Sequence, residues 1–107
     1  MIQTKLIDST KPNTIECTIE NLVKYHNIWN QRLVEIRIFQ EPLKLPNFQI
    51  KYGVKSYCGK WIPKTNTIVL YPNKAIVDIY WFQSVLVHEM IHQYITENKI
   101  IDNSSHG

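Results

Sequence analysis

The segment from residue 78 to about residue 97 constrains the fold more than any other part of this chain. It contains no proline or glycine and shows no alternation of apolar and polar residues, so it predicts a helix. Its apolar residues occupy most sides of that helix, which indicates a buried helix. Yet His88, Glu89 and His92 interrupt the apolar sequence VLVHEMIHQY. Burying unpaired ionisable groups costs several kcal/mol, so these three side chains require a ligand or hydrogen-bonding partners.

His88 and His92 have the spacing that places two side chains on one face of a helix, one turn apart. Both imidazoles can then reach one Zn²⁺ ion, at about 2.0–2.1 Å from nitrogen. Glu89 would lie beside the metal, where a carboxylate can accept a proton from water that the metal activates. The sequence HExxH therefore predicts a zinc-dependent hydrolase with Glu89 as the catalytic acid/base. The alternative is a pair of core histidines that form hydrogen bonds with the backbone or with Glu89.

A catalytic zinc site usually has three protein ligands, so a third ligand is expected outside this helix. The metzincin pattern fails, because Ile95 and Asn98 stand where it needs glycine and histidine. Glu97 would point away from the two histidines, near the opposite face of the same helix. His26 belongs to another predicted helix and is interpreted as a core or surface residue. The remaining candidate is His106, beyond a loop long enough to fold back.

The rest of the chain predicts one N-terminal helix followed by a small sheet. Residues 14–31 carry apolar side chains at helical spacing, and Asn13 and Glu16 have the spacing of a capping box. Alternating or β-branched segments predict strands at residues 34–39, 48–56, 57–62 and 67–71, and residues 63–66 form a hairpin turn between the last two. The expected fold is α+β, with an N-terminal helix, a small three-stranded antiparallel sheet and a buried helix that carries HExxH.

Composition limits the class of protein. The 107 residues fit one domain, in which residues 1–12 are expected to form an extended arm. Cys17 and Cys58 form no CxxC pair, which excludes a disulfide framework and a cysteine-ligated zinc ribbon. No signal peptide or membrane span is expected, so a cytoplasmic location is the simplest interpretation. The net charge of +3 is compatible with a nucleic-acid partner and does not require one.

The HEMIH sequence at 88–92 and the HG pair at 106–107 resemble the SprT-like (Spartan-type) zinc metallopeptidases. That family reads HE-[LM]-[IL]-H, then a variable loop, then HG. The segments YHNIWNQRL and SYCGKWIPKTNTIVLYP are also similar to the family in type and order, so the resemblance covers roughly residues 15–107. It implies a zincin-like fold, with His88, His92 and His106 as zinc ligands and Glu89 as the catalytic acid/base. It also implies an endopeptidase that cleaves DNA-associated or DNA-crosslinked proteins, in DNA–protein crosslink repair.

The chain departs from this family in two respects. The family continues past HG with an aromatic residue and another helix, whereas this chain stops at Gly107. It also lacks the cysteine-rich zinc module that some members carry downstream. The early stop is compatible with a chain truncated at its C terminus, or with a weakly held third ligand, because terminal residues fray.

The substrate and partners are less constrained than the metal site. A polypeptide substrate would bind along a sheet edge, which we place at residues 66–71, although these residues can equally form an ordinary hairpin. The partner of the oxyanion stays open among Tyr57, Tyr71 and Tyr94. Lysines interleaved with aromatic residues could bind DNA by phosphate contact and base stacking, or could form a solvated strand face with the aromatic rings turned to the core. This cluster consists of Lys51, Lys55, Tyr57, Lys60, Trp61 and Lys64.

Two other functions compete with a zinc peptidase. The first alternative is a non-enzymatic nucleic-acid-binding module that holds zinc for structural reasons. It predicts DNA binding that depends steeply on salt and is unaffected by Glu89→Gln. The second is a metal-free interaction domain in which the histidines belong to the core.

Overall fold

The computed structural model describes residues 13–53 and 56–98, and these residues form two helices and five strands. In chain order the elements are β1 (Thr14–Glu16), α1 (Ile19–Glu35), β2 (Asn47–Ile50), β3 (Gly59–Ile62), β4 (Thr67–Leu70), β5 (Ile76–Asp78) and α2 (Ile79–Glu97), with a 3₁₀ turn at Pro63–Thr65. The predicted α+β class is confirmed. The predicted arm at residues 1–12, Lys55 and His106 lie outside the described residues.

Strands β2, β4 and β3 form a sheet with β4 in the centre. β3 and β4 are antiparallel and form the predicted hairpin, in which Gly59 lies opposite Leu70. The turn between them ends at Asn66, whose left-handed backbone (φ 54°) suits asparagine. β2 runs parallel to β4, so the wholly antiparallel sheet that we predicted is wrong. Alternation of side chains identifies a half-buried strand, but it contains no information on the direction of the neighbouring strand.

Helix α1 begins later than predicted. The side chain of Thr18 caps it by accepting a hydrogen bond from the backbone N–H of Asn21 (3.1 Å). The predicted capping box at Asn13 and Glu16 is therefore wrong. Instead, β1 pairs antiparallel with β5 and places Ile15 opposite Val77. The β-branched residues at the start of the segment favour this strand over a first helical turn.

Helix α1 also ends later than predicted, and no strand forms at residues 34–39. The helix is closed at its C terminus by hydrogen bonds from the backbone N–H groups of Ile38 and Phe39 to the carbonyl of Leu33 (2.9 and 3.0 Å). Arg37, in this turn, has a positive φ of 65°. Phe39 then enters the core and stacks on Tyr94 of α2, with ring centroids 4.3 Å apart. The alternation of apolar residues here does not mark a strand, since Ile36 and Ile38 are both exposed.

Helix α2 has the predicted extent. Asp78 caps its N terminus by accepting hydrogen bonds from the backbone N–H groups of Tyr80 and Trp81 (both 3.0 Å). Asn98 caps its C terminus. One side of α2 is fully buried against the rest of the molecule, and the other is exposed and includes His88. Neither helix in the described part of the chain is long and apolar enough to cross a membrane.

Candidate active site

His88 and His92 lie one turn apart on α2, and their rings meet edge to face with centroids 4.9 Å apart. Their Nε2 atoms are 3.3 Å apart. Two nitrogens at about 2.0–2.1 Å from one tetrahedral zinc ion would be about 3.3–3.4 Å apart. The observed separation therefore fits two ligands of a single ion. It also fits a direct hydrogen bond between a donating and an accepting ring, so the geometry permits metal binding without requiring it.

The structure does not complete the metal site. Within residues 13–53 and 56–98, no group of three or more His, Cys, Asp or Glu side chains is arranged to hold a metal ion. The predicted third ligand, His106, is outside these ranges. His26 and Glu97, which we had set aside as ligands, both bind Gln93 instead, at 3.2 and 2.8 Å. Of the four candidates that the structure describes, His88, His92, His26 and Glu97, only His88 and His92 are brought together as a possible ligand pair.

Glu89 lies beside the first residue of β3. It is 5% exposed, and a Cβ added at Gly59 would be 3.2 Å from its Oε2 atom and 2.6 Å from Cγ1 of Val85. The missing side chain of Gly59 thus makes room for the carboxyl group. Burial raises the pKa of Glu89, and the nearby His88 lowers it to a smaller extent. A carboxyl whose pKa is raised towards neutrality is suited to accept and release a proton.

A cavity of about 360 Å³ opens between α2 and the start of β3. Glu89 and His88 both line it, so a molecule bound there would contact the carboxyl and an imidazole together. At Gly59 the strand approaches the helix closely, since a Cβ there would lie 2.6 Å from Cγ1 of Val85. A glycine inside a strand pattern is a known sign of such an approach, but our sequence interpretation did not use it. The other residues that line the cavity are Tyr57, Cys58, Ser84 and Val85.

The structure separates the three tyrosines that the sequence left open. Tyr94 lies on the buried side of α2, and its hydroxyl accepts a hydrogen bond from the backbone N–H of Gln40 (3.0 Å). Tyr57 lines the cavity beside Glu89 and meets Tyr71 edge to face at 4.8 Å. Burial raises the pKa of Tyr71, and Tyr57 and then Glu89 add to the increase. Tyr57 is therefore the tyrosine whose side chain lines the cavity itself.

The sheet edge next to this cavity is β3, not residues 66–71. Strand β4 occupies most of that predicted segment, and it has a partner on each side, so the prediction is wrong. All four of its residues are buried, which is typical of a central strand and could have been read from the apolar run TIVL. Among the described strands β3 pairs only with β4, and it is tied to α2 by a hydrogen bond from Nε1 of Trp61 to Oγ1 of Thr96 (3.1 Å).

Two described members of the predicted DNA-binding cluster, Lys60 and Trp61, lie on opposite faces of β3. Trp61 packs against the core, and its indole N–H is already bound, so it is not a free platform for a base. The neighbouring Lys60 points to the other face of β3, since successive strand residues alternate. Lys51, Lys60 and Lys64 are exposed, and Tyr57 is 46% exposed. DNA binding stays a prediction.

Comparisons of the chain with protein-family models, with curated proteins and with solved structures gave no match. The SprT-like resemblance therefore rests on the HEMIH and HG sequences and on the order of the upstream segments. The function has to be inferred from the paired imidazoles, the buried carboxyl and the cavity that adjoins them.

Proposed function

We propose that this protein is a zinc-dependent metalloendopeptidase of the SprT-like, zincin-like type. One observation supports this proposal most directly. The Nε2 atoms of His88 and His92 have the separation of two zinc ligands, and His88 shares a cavity with the buried carboxyl of Glu89. A histidine pair that only filled a core would not need one member to be exposed beside a cavity, as His88 is.

The donor set fits zinc in both chemistry and spacing. Imidazole nitrogen is a usual zinc ligand, and His88 and His92 would bind through Nε2. When bound there, zinc supplies a Lewis acid that polarises a carbonyl oxygen and lowers the pKa of water to about 7. His106 is proposed as the third ligand because of the HG resemblance.

Glu89 is proposed to move the proton. One oxygen of its carboxylate would accept a proton from the attacking water, and the same group would then donate it to the nitrogen of the leaving amine. The raised pKa favours this exchange, since an exposed glutamate holds a proton poorly at neutral pH. Tyr57 lines the same cavity, and we assign its hydroxyl to the oxygen of the scissile carbonyl as a hydrogen-bond donor.

The substrate is proposed to be an extended polypeptide that lies along β3. Backbone groups of an edge strand bind a peptide without regard to its sequence. Gly59, at the start of this strand, is in close contact with the side chain of Glu89, so a peptide on this edge would pass the carboxyl. We extend the proposal to DNA-associated or DNA-crosslinked proteins. The support is the resemblance, with the exposed Lys51, Lys60 and Lys64 as candidate phosphate contacts.

The decisive experiment measures zinc content and cleavage of casein or histone for the parent protein and Glu89→Gln. We expect one equivalent of zinc in both and a loss of cleavage in the variant of about 10²–10⁴-fold, which is the usual value of an acid/base group. Glu97→Gln is the matched control, because it makes the same change near the C-terminal end of the same helix, and it should cleave normally.

Equal cleavage by the parent and Glu89→Gln would contradict the assignment. Zinc without cleavage in the parent, together with DNA binding that depends steeply on salt, would favour the nucleic-acid-binding module instead.

A further inference from the structure

A second and larger cavity, of about 730 Å³, lies between α1 and α2; we call it the interhelical groove. Its walls are largely aromatic and aliphatic and include Trp29, Tyr80, Val87 and Ile91. Tyr80 is 65% exposed and Ile91 is 40% exposed. Its volume lies in the range of cavities that bind small molecules, so it can accept a whole side chain together with part of its backbone.

The groove adjoins the proposed active site. Ser84 and His88 line both the groove and the cavity that contains Glu89, so these two residues form a shared wall. A peptide whose scissile bond lies near Glu89 and His88 has only to cross this wall to place a neighbouring side chain in the groove. The two cavities are therefore adjacent parts of one cleft along α2.

The wall of the groove is held in place before anything binds. Nε1 of Trp29 donates a hydrogen bond to Oε1 of Gln83 (2.8 Å), which joins α1 to α2. The guanidinium of Arg32 stands over the same indole ring, 5.2 Å from its centroid. A fixed aromatic wall reduces the ordering cost of binding an apolar group.

The groove carries a positive charge and no negative one. Among the described residues that line it, Arg32 is cationic and none is an aspartate or glutamate. A lysine or arginine side chain would meet a like charge there. Large aliphatic and aromatic side chains meet no such penalty.

We propose that the interhelical groove is the subsite that binds a large aliphatic or aromatic side chain of the polypeptide substrate, at a position close to the scissile bond. This inference rests on the proposed function, because the shared wall at Ser84 and His88 gives the groove its place in the cleft. It adds a preference for certain substrate side chains, which backbone contacts along β3 do not provide.

Binding can be measured without cleavage, with the Glu89→Gln protein and blocked peptides Gly-Gly-X-Gly-Gly in which X is Phe, Leu, Glu or Lys. The indole N–H signals of the three tryptophans in a ¹⁵N-labelled sample report the position of the peptide. We expect the Phe and Leu peptides to shift the Trp29 signal and to bind at least about fivefold more tightly than the Lys peptide. Equal affinity for all four peptides, or shifts confined to Trp61, would overturn the subsite.

A matched pair of variants tests the groove itself. Ile91→Ala shortens a groove residue, whereas Ile28→Ala makes the same change at an isoleucine of equal exposure (39%) on α1 that does not line the groove. We expect Ile91→Ala to weaken binding of the Phe and Leu peptides about three- to tenfold and Ile28→Ala to leave it unchanged. Arg32→Met should improve binding of the Lys peptide. If both alanine variants bind as the parent does, the subsite is overturned.

Cleavage maps then distinguish failure of the subsite from failure of the proposed function. In casein digests by the parent we expect large apolar residues to be enriched at one position beside the cut, and Ile91→Ala to reduce that enrichment. Cleavage with no such enrichment would overturn the subsite and leave the peptidase standing. Shifts of the Trp29 signal without cleavage by the parent would support the groove as a site for apolar peptides and overturn the peptidase.

Discussion

The histidines on the two sides of α2 lie in opposite environments. On the exposed side, the Nε2 atoms of His88 and His92 lie 3.3 Å apart, and His88 lines an open cavity. On the buried side, His26 of α1 has no exposed surface, and its Nε2 atom lies 3.2 Å from Oε1 of Gln93. The comparison shows that the role of each histidine depends on which groups its ring nitrogens can reach. The exposed pair has room for a shared ion, whereas His26 is enclosed by the core.

The buried histidine has a defined protonation state. Oε1 of Gln93 can only accept a hydrogen bond, so Nε2 of His26 must carry the proton. Its Nδ1 atom then has a lone pair, and within the described residues this atom has no hydrogen-bond partner. Gln93 is held in turn by hydrogen bonds from its Nε2 atom to the carbonyl of Lys44 (2.9 Å) and to Glu97 (2.8 Å). His26 is thus a structural residue in a fixed network, not a second metal site.

The strongest test of this comparison is the removal of one imidazole from each side. His88→Ala removes a proposed ligand, so we expect zinc affinity to fall by more than the about 10–100-fold that loss of an outer partner costs. Because His88 is exposed, the free energy of unfolding of the zinc-free protein should change by less than about 0.5 kcal/mol. Competition with a chromophoric chelator measures the affinity, and urea unfolding measures the stability. Unchanged zinc affinity in His88→Ala would remove the basis of the metal site.

His26→Ala should give the reverse result. It leaves a cavity beside Phe48, whose ring meets the imidazole edge to face at 5.7 Å, and it removes a partner of Gln93. We expect a loss of about 2–4 kcal/mol in the free energy of unfolding, with zinc affinity of the folded protein unchanged. His26→Gln keeps a polar group at the position and should lose less. A His26→Ala protein that is stable but binds no zinc would show that the two sides are not independent.

Gly59→Ala tests the exposed side further. It disturbs Glu89, which is buried although the neighbouring His88 is exposed. The added methyl group would lie 2.6 Å from Cγ1 of Val85 and 3.1 Å from Cγ of Glu89, so the helix or the strand has to move. We expect a loss of about 1–3 kcal/mol in stability together with reduced cleavage. Lys60→Ala, at the next and exposed residue of β3, is the control and should change neither. Normal stability and cleavage in Gly59→Ala would mean that the contact between β3 and α2 is looser than the structure shows.

The sequence could predict local features of the fold, but not features that depend on contacts between distant segments. The predicted extent of α2 was correct, because a segment without proline, glycine or period-two alternation marks one continuous helix. The direction of β2 and the place of β4 at the centre of its sheet were not predicted correctly. Both depend on pairing between segments that are distant in the chain. Gly59 was missed for the same reason. Its importance lies in the approach of β3 to Glu89, which neither segment reveals by itself.

The smallest expected effect is a pH dependence that belongs to His26 alone. Burial lowers the pKa of His26, and the hydrogen bond to Gln93 and the charge of Glu97 oppose this only in part. A proton added at Nδ1 would be an unpaired donor inside the core, so the folded protein resists it and the unfolded chain does not. In the range below its unfolded value of about 6.5, His26 therefore binds more protons in the unfolded state, and its contribution to stability falls as the pH is lowered.

This dependence can be isolated in the His88→Ala background, where zinc binding does not contribute. Urea unfolding at several pH values from 7 to 5 should show a loss of stability that is smaller when His26→Leu is added, because leucine has no proton to gain. The difference between the two slopes is the contribution of His26. Equal slopes would mean that Nδ1 finds a partner when it is protonated, and the buried histidine would then be less distinct from the exposed pair than its enclosure suggests.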